Sequence, residues 1–231
     1  VFIFNSSIRF NLIAKLSQIP EIFQYPLFKK KNQHIIDTAK NFIETKLNIK
    51  INEDPKIELI ENSIQEAINK YNIDKNKINI LLGIGASGPT KRIPAETFLK
   101  VIDKILMKKN CHFFLATGKN EDEQKILKQI LNSRYNKVCT PLDNLSIKET
   151  LPVIKNCDIA ICNDTGFGHL SAALEIKTIM LIADAPLVYG NYSKKMYPII
   201  PDGEKTVTHG TRGKDKINPI KIYEKILEIL Y

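Results

Sequence analysis

From Ile78 to the C-terminus the sequence alternates short apolar runs with amphipathic stretches, and that alternation leaves few folds open. Runs at 78–84, 111–116, 137–140, 158–162 and 178–183 read as strands. Between them, 95–107 carries Phe98, Val101, Ile102 and Ile105 at helical spacing, and 121–131 reads likewise. Residues 146–155 form a helix that opens on a capping box of Ser146 and Glu149. A last helix begins at Asn218-Pro219, with Asn as cap and Pro in its first turn. Repeated β–α units of this length predict an α/β fold, a Rossmann-like domain built on a parallel, doubly wound sheet.

Upstream the pattern is less regular. Residues 1–4 read as the end of a strand, 7–17 as a helix stopped by Pro20, and 21–25 as a short strand stopped by Pro26. A polar loop at 29–33 precedes a helix over 34–47. The turn-rich 48–55 is the expected linker, and Ile57, Ile60, Ile64, Ala67 and Ile68 line one face of the next helix. The expected division is 1–56, a partial domain with its linker, and 57–231, a ligand-binding domain.

The 231 residues suffice for one large domain or two modest ones. A hydrophobic content of 43% with 26% charged residues suits a soluble globular protein. No run approaches the roughly 20 apolar residues of a membrane span, and no basic leader with a cleavage site is visible. Cys111, Cys139, Cys157 and Cys162 lie in or beside apolar runs without metal-ligand spacing, so buried free thiols are expected, and no metal site. The net charge of +9 raises the question of nucleic acid, but the lysines are scattered and no basic motif is interleaved with aromatics. An anionic membrane surface matches this charge at least as well.

Two loops carry the chemistry. Asn163-Asp164-Thr165-Gly166-Phe167-Gly168-His169 joins a strand to a helix, where free N–H groups and the helix dipole suit a phosphate. Asp164 would repel phosphate, so it is read as an acceptor for sugar hydroxyls. Otherwise it, or Thr165, is simply the helix cap. Gly85-Ala86-Ser87-Gly88-Pro89-Thr90-Lys91-Arg92-Ile93-Pro94 follows the first strand of the domain; Ser87 and Thr90 offer hydroxyls, and Lys91 and Arg92 positive charge. It lacks the Gly-Lys-Ser/Thr ending of a Walker loop. Glu121, after Gly118, is placed either to hold a ribose or to favour the helix dipole. His112 and His209 read as structural and solvated, respectively.

Together the Thr90-Lys91-x-x-Pro94 loop, Gly118-x-x-Glu121 and Asp164-Thr165-Gly166-x-x-His169 resemble glycosyltransferase family 9, the ADP-heptose:lipopolysaccharide heptosyltransferases. The resemblance covers Ile78 to the end, more weakly the first 28 residues. Ile93 stands where the family commonly has an aromatic. It implies a GT-B fold with a Rossmann-like C-terminal domain and part of a second, N-terminal one. It further implies inverting, metal-independent transfer of heptose from an ADP-sugar to a lipopolysaccharide inner-core acceptor, with no cofactor. Ser87, Thr90 and Lys91 would bind the donor phosphates, Glu121 the ribose and Asp164 the sugar. Thr165, Gly166 and His169 would complete the phosphate site, and Lys91 and Asp164 would serve catalysis. The partners implied are the ADP-sugar and a lipid A–core acceptor at the membrane surface, without nucleic acid, for a cytoplasmic enzyme peripheral to the inner membrane. The family's base, an acid near the start of the N-terminal domain, has no counterpart here, so an N-terminally truncated chain is expected. The alternatives are a non-catalytic nucleotide-binding module and a sugar-nucleotide epimerase of the same architecture.

Overall fold

An apolar strand covered by helices on both faces has no need of polar alternation, and the central strands of this chain have almost none. A computed structural model describes residues 1–26 and 35–231; the loop read at 29–33, with His34, lies outside the described residues. The chain divides into two compact units, Val1–Glu53 and Asp54–Tyr231. In the first, β1 (Phe2–Ile3), α1 (Ile8–Leu16) and β2 (Phe23–Gln24) form a small β-α-β unit, its strands parallel with Phe2 opposite Phe23. Phe42 of α2 (Ile35–Leu47) stands edge-on to Phe2, Phe4 and Tyr25, with ring centroids 5.9, 5.5 and 4.9 Å away. Ile8, Leu12 and Leu16 of α1 are exposed.

The second unit begins with α3 (Glu61–Lys70), then alternates β3 (Ile78–Gly83), α4 (Ala95–Leu106), β4 (Cys111–Ala116), α5 (Glu121–Leu131), β5 (Cys139–Pro141) and α6 (Ile147–Lys155). It continues with β6 (Ile159–Asn163), α7 (Gly166–Ala173), β7 (Thr178–Leu181), β8 (Met196–Ile199) and α8 (Pro219–Leu230). The six strands of this unit form one parallel sheet in the order β5-β4-β3-β6-β7-β8. Ile80 and Leu82 of β3 pack with Phe98, Ile102 and the α8 isoleucines on one face. Leu81, between them, packs with Phe114, Val153 and Ile154 on the other, so the sheet is doubly wound. The capping box of Ser146 and Glu149 forms, as does the Asn218 cap. All four cysteines are free and buried.

Some boundaries differ from the sequence reading. Ile57 and Ile60 precede α3 rather than lying in it: the Ile57 N–H donates to Ala173 O, which pins this segment to the end of α7. Residues 136–138 make a single 3-10 turn before β5. The sequence does not announce β8, because Pro198 and two preceding lysines obscure it. An edge strand bonds on one side only, which is where a sheet accepts proline.

Candidate active site

The strand order places the reversal of winding between β3 and β6. From β3 the chain steps outward to β4 and β5, and from β6 to β7 and β8. In such sheets the crevice beyond the carboxyl ends at the switch point takes the ligand, because the loops there diverge to opposite faces. The two loops at this point are the 85–94 loop after β3 and Asp164-Thr165 after β6. They are tied at their bases by the buried Asn163 side chain, which donates to Ile84 O at 2.8 Å. Gly83 is needed to bring these strands together: a Cβ there would lie 2.6 Å from Cys162 Sγ and 2.9 Å from its Cβ.

Across this crevice Lys91 Nζ meets Asp164 at 2.5 Å, although the two are 73 positions apart. The carboxylate side chain is only 9% exposed and the lysine 22%. Thr165 occupies the N-cap of α7, yet its side chain makes no capping bond, and Asp164 is engaged with Lys91. The reading of either residue as a side-chain cap therefore fails, and the N-terminus of α7 is left to bind something else. Gly166 is exposed there, and a Cβ on it would meet nothing within 4 Å. Gly168 serves packing instead, since its Cβ would lie 2.5 Å from Met180 Sδ. His169, in the first turn of α7, is half-buried and stacks on Tyr192, with rings 5.6 Å apart at 8° and Nδ1 2.7 Å from the phenol oxygen. Burial holds this imidazole below the usual histidine range; Asp164 opposes that shift and Lys91 reinforces it.

The 85–94 loop is itself held from behind. Arg92 donates to Ala86 O at 3.0 Å and to Asp122 at 2.8 Å, with only 12% of its side chain exposed. Its guanidinium therefore braces the loop from behind. Ser87 is exposed on the loop. Thr90 lies beside Asp184, whose carboxyl it helps to hold below the usual range. Glu121 is exposed at the first position of α5, away from the buried interior.

Three residues that sequence reasoning passed over organise the site. Glu123 is buried, accepts from the Ala86 N–H at 2.8 Å, and lies so close to Gly85 and Gly118 that neither has room for a Cβ. Its signal was present: it stands at the third helical position behind the Asn120 cap, whose side chain accepts from the Glu123 N–H. Asp184, directly after the buried end of β7, accepts from the N–H groups of Gly210 and Arg212, both at 2.8 Å. Neighbouring Thr90 and these two amides hold its carboxyl below the usual range. An acid at the carboxyl end of a central strand is itself the signal that would have found it. Tyr192 carries no local signal, because its partner His169 lies 23 residues earlier. Of the other described histidines, His112 bonds Thr140 at 2.8 Å, and the exposed His209 lies 6.0 Å from the Tyr189 ring.

Comparison with known proteins agrees with this architecture. The family model for glycosyltransferase family 9 (heptosyltransferase) matches residues 23–196. Lipopolysaccharide heptosyltransferase 1 of Campylobacter coli is 27% identical over 72% of this chain and 57% of its own length. Lipooligosaccharide heptosyltransferase 2 of Campylobacter jejuni serotype O:2 is 31% identical over 78% of the chain and 56% of its own length. The chain thus matches little more than half of each of these two relatives. The structure of E. coli ADP-heptose lps heptosyltransferase II superposes with a TM-score of 0.75 at 17% identity, covering 99% of this chain and 75% of that one. The fold is of the GT-B type. With three-quarters of its length inside the family model, the chain belongs to glycosyltransferase family 9, the heptosyltransferases.

Proposed function

We propose that this chain forms the donor-binding part of an inverting, metal-independent heptosyltransferase. In this reading it takes heptose from an ADP-sugar and delivers it to a lipopolysaccharide inner-core acceptor. The observation that carries the reading is the Lys91–Asp164 pair beside the uncapped N-terminus of α7. A departing nucleoside diphosphate gains negative charge in the transition state, and preorganised positive groups lower that barrier. Lys91 and the N–H groups at Thr165, Gly166 and the start of α7 supply such charge, with His169 and the Ser87 hydroxyl beside them. Asp164, relieved of Lys91 when a diphosphate takes the ammonium, accepts hydrogen bonds from the donor sugar. Thr90, on the same loop as Lys91, offers its hydroxyl to the donor phosphates, and Glu121 lies on the α5 end where a ribose would lie. The acceptor hydroxyl needs a base, which the resemblance assigns to a segment without a counterpart in this sequence. A lipid-borne acceptor also suits the net charge of +9, which draws the protein to the anionic cytoplasmic leaflet. In this reading 1–56 belong to the acceptor side and 57–231 to the donor domain, a division three residues beyond the structural one after Glu53.

The test compares ADP-heptose with ADP. Both should bind the chain, with affinity unchanged in EDTA. Asp164→Asn should weaken ADP-heptose by roughly tenfold or more, the scale of a hydrogen bond to a charged group, while ADP changes little. Equal losses for both ligands would place Asp164 outside the sugar site, and loss of binding in EDTA would contradict metal independence.

A further inference from the structure

Tyr192 sits in the turn that leads into β8, and several contacts fix that turn. The Lys194 N–H donates to Asp54 at 3.3 Å, the Lys195 N–H to Ser193 Oγ at 3.1 Å, and the Met196 N–H to Ser193 O at 3.0 Å. The Tyr192 ring packs against the apolar cluster that includes Met180 and Val207. From this fixed place its hydroxyl reaches His169 Nδ1 at 2.7 Å, with the two rings nearly parallel. Which nitrogen of a neutral imidazole holds the proton is set by the bond the other nitrogen makes. The 2.7 Å contact is compatible with either direction, and the greater acidity of a phenol than of a neutral imidazole N–H favours the arrangement in which the oxygen donates and Nδ1 accepts.

We infer that Tyr192 is a positioning residue for His169: its hydroxyl, donating to Nδ1, keeps the ring proton on Nε2, so the histidine offers an N–H donor to an anion bound beside Lys91. The consequence for an anion, though not the tautomer itself, rests on the diphosphate reading above. The opposite tautomer would turn a lone pair towards that anion and repel it. Burial keeps the ring neutral, so the donor is available without a prior protonation.

The tautomer is measured directly on the ligand-free chain by two-bond 1H–15N correlation with 15N-labelled histidine, above the pH at which the ring titrates. The His169 signals are assigned by their loss in His169→Gln. In the wild type the His169 Nδ1 should resonate as an unprotonated acceptor and Nε2 as protonated. Tyr192→Phe keeps the ring stack and removes only the hydroxyl; both nitrogens should then shift towards an averaged tautomer mixture. The same variant should raise the Kd for ADP about three- to tenfold with its melting temperature nearly unchanged. A wild-type ring protonated at Nδ1, or identical ring signals in Tyr192→Phe, overturns the inference. If the wild type fails to bind ADP, the diphosphate reading falls, and the ring signals still decide the role of Tyr192.

Discussion

Asp164 is a carboxylate with 9% of its side chain exposed, and Lys91 is the group that compensates it. Leaving such an acid unpaired would cost several kcal/mol, and the pair offsets that cost while holding a cation at the rim of the crevice. Asp184 does comparable work one strand further on. It gathers the N–H groups of Gly210 and Arg212 at a single carboxylate, and so ties the segment after β8 to the end of β7. Asp184→Ala strands those donors and should destabilise the chain by about 1–3 kcal/mol. That corresponds to a fall in Tm of roughly 2–12 °C, with faster amide exchange at Gly210 and Arg212. Unchanged exchange at those two amides would show that the carboxylate is not what holds them. At this scale the two loops were legible in the sequence, and the fold joins them through the Lys91–Asp164 pair. The sequence was opaque at Tyr192, which meets His169 only through a contact made across the fold. Nor does a cation beside Lys91 announce that Ala86 O and Asp122 hold it.

Among the elements, β3 and β6 matter most, because their separation sets the width of the crevice. Gly83 and Cys162 stand opposite each other in register, and a Cβ on Gly83 would press on the Cys162 side chain and come within 3.3 Å of its Cα. A strand backbone inside a sheet has little room to yield. Gly83→Ala should therefore destabilise the chain by about 1–3 kcal/mol, the range for overpacking, as measured by chemical denaturation. A variant as stable as the wild type would mean that the two strands separate freely. Most helices and strands could be read from periodicity because each buries a regular stripe or run. Those at the margins could not: β8 pairs along one side only and includes Pro198, and the segment before α3 is apolar without being helical. Ile57 and Ile60 fit helical spacing, but the Ile57 N–H is committed to Ala173 O instead.

For the molecule as a whole, the parallel sheet with its switch point explains why two stretches far apart in sequence make one site. Fold class followed from the strand–helix alternation, since short parallel units have few ways to bury both faces of a sheet. Among the described residues no helix is long and apolar enough to cross a membrane. The account's central claim is that the crevice between β3 and β6 binds the diphosphate of a nucleotide donor through Lys91. Titration calorimetry with ADP tests this most directly, on the wild type and on Lys91→Ala. The wild type should bind, and the variant should lose about 1.5–3 kcal/mol of binding energy, roughly ten- to a hundredfold in Kd. A folded wild type that gives no binding signal, or a variant with undiminished affinity, would contradict it.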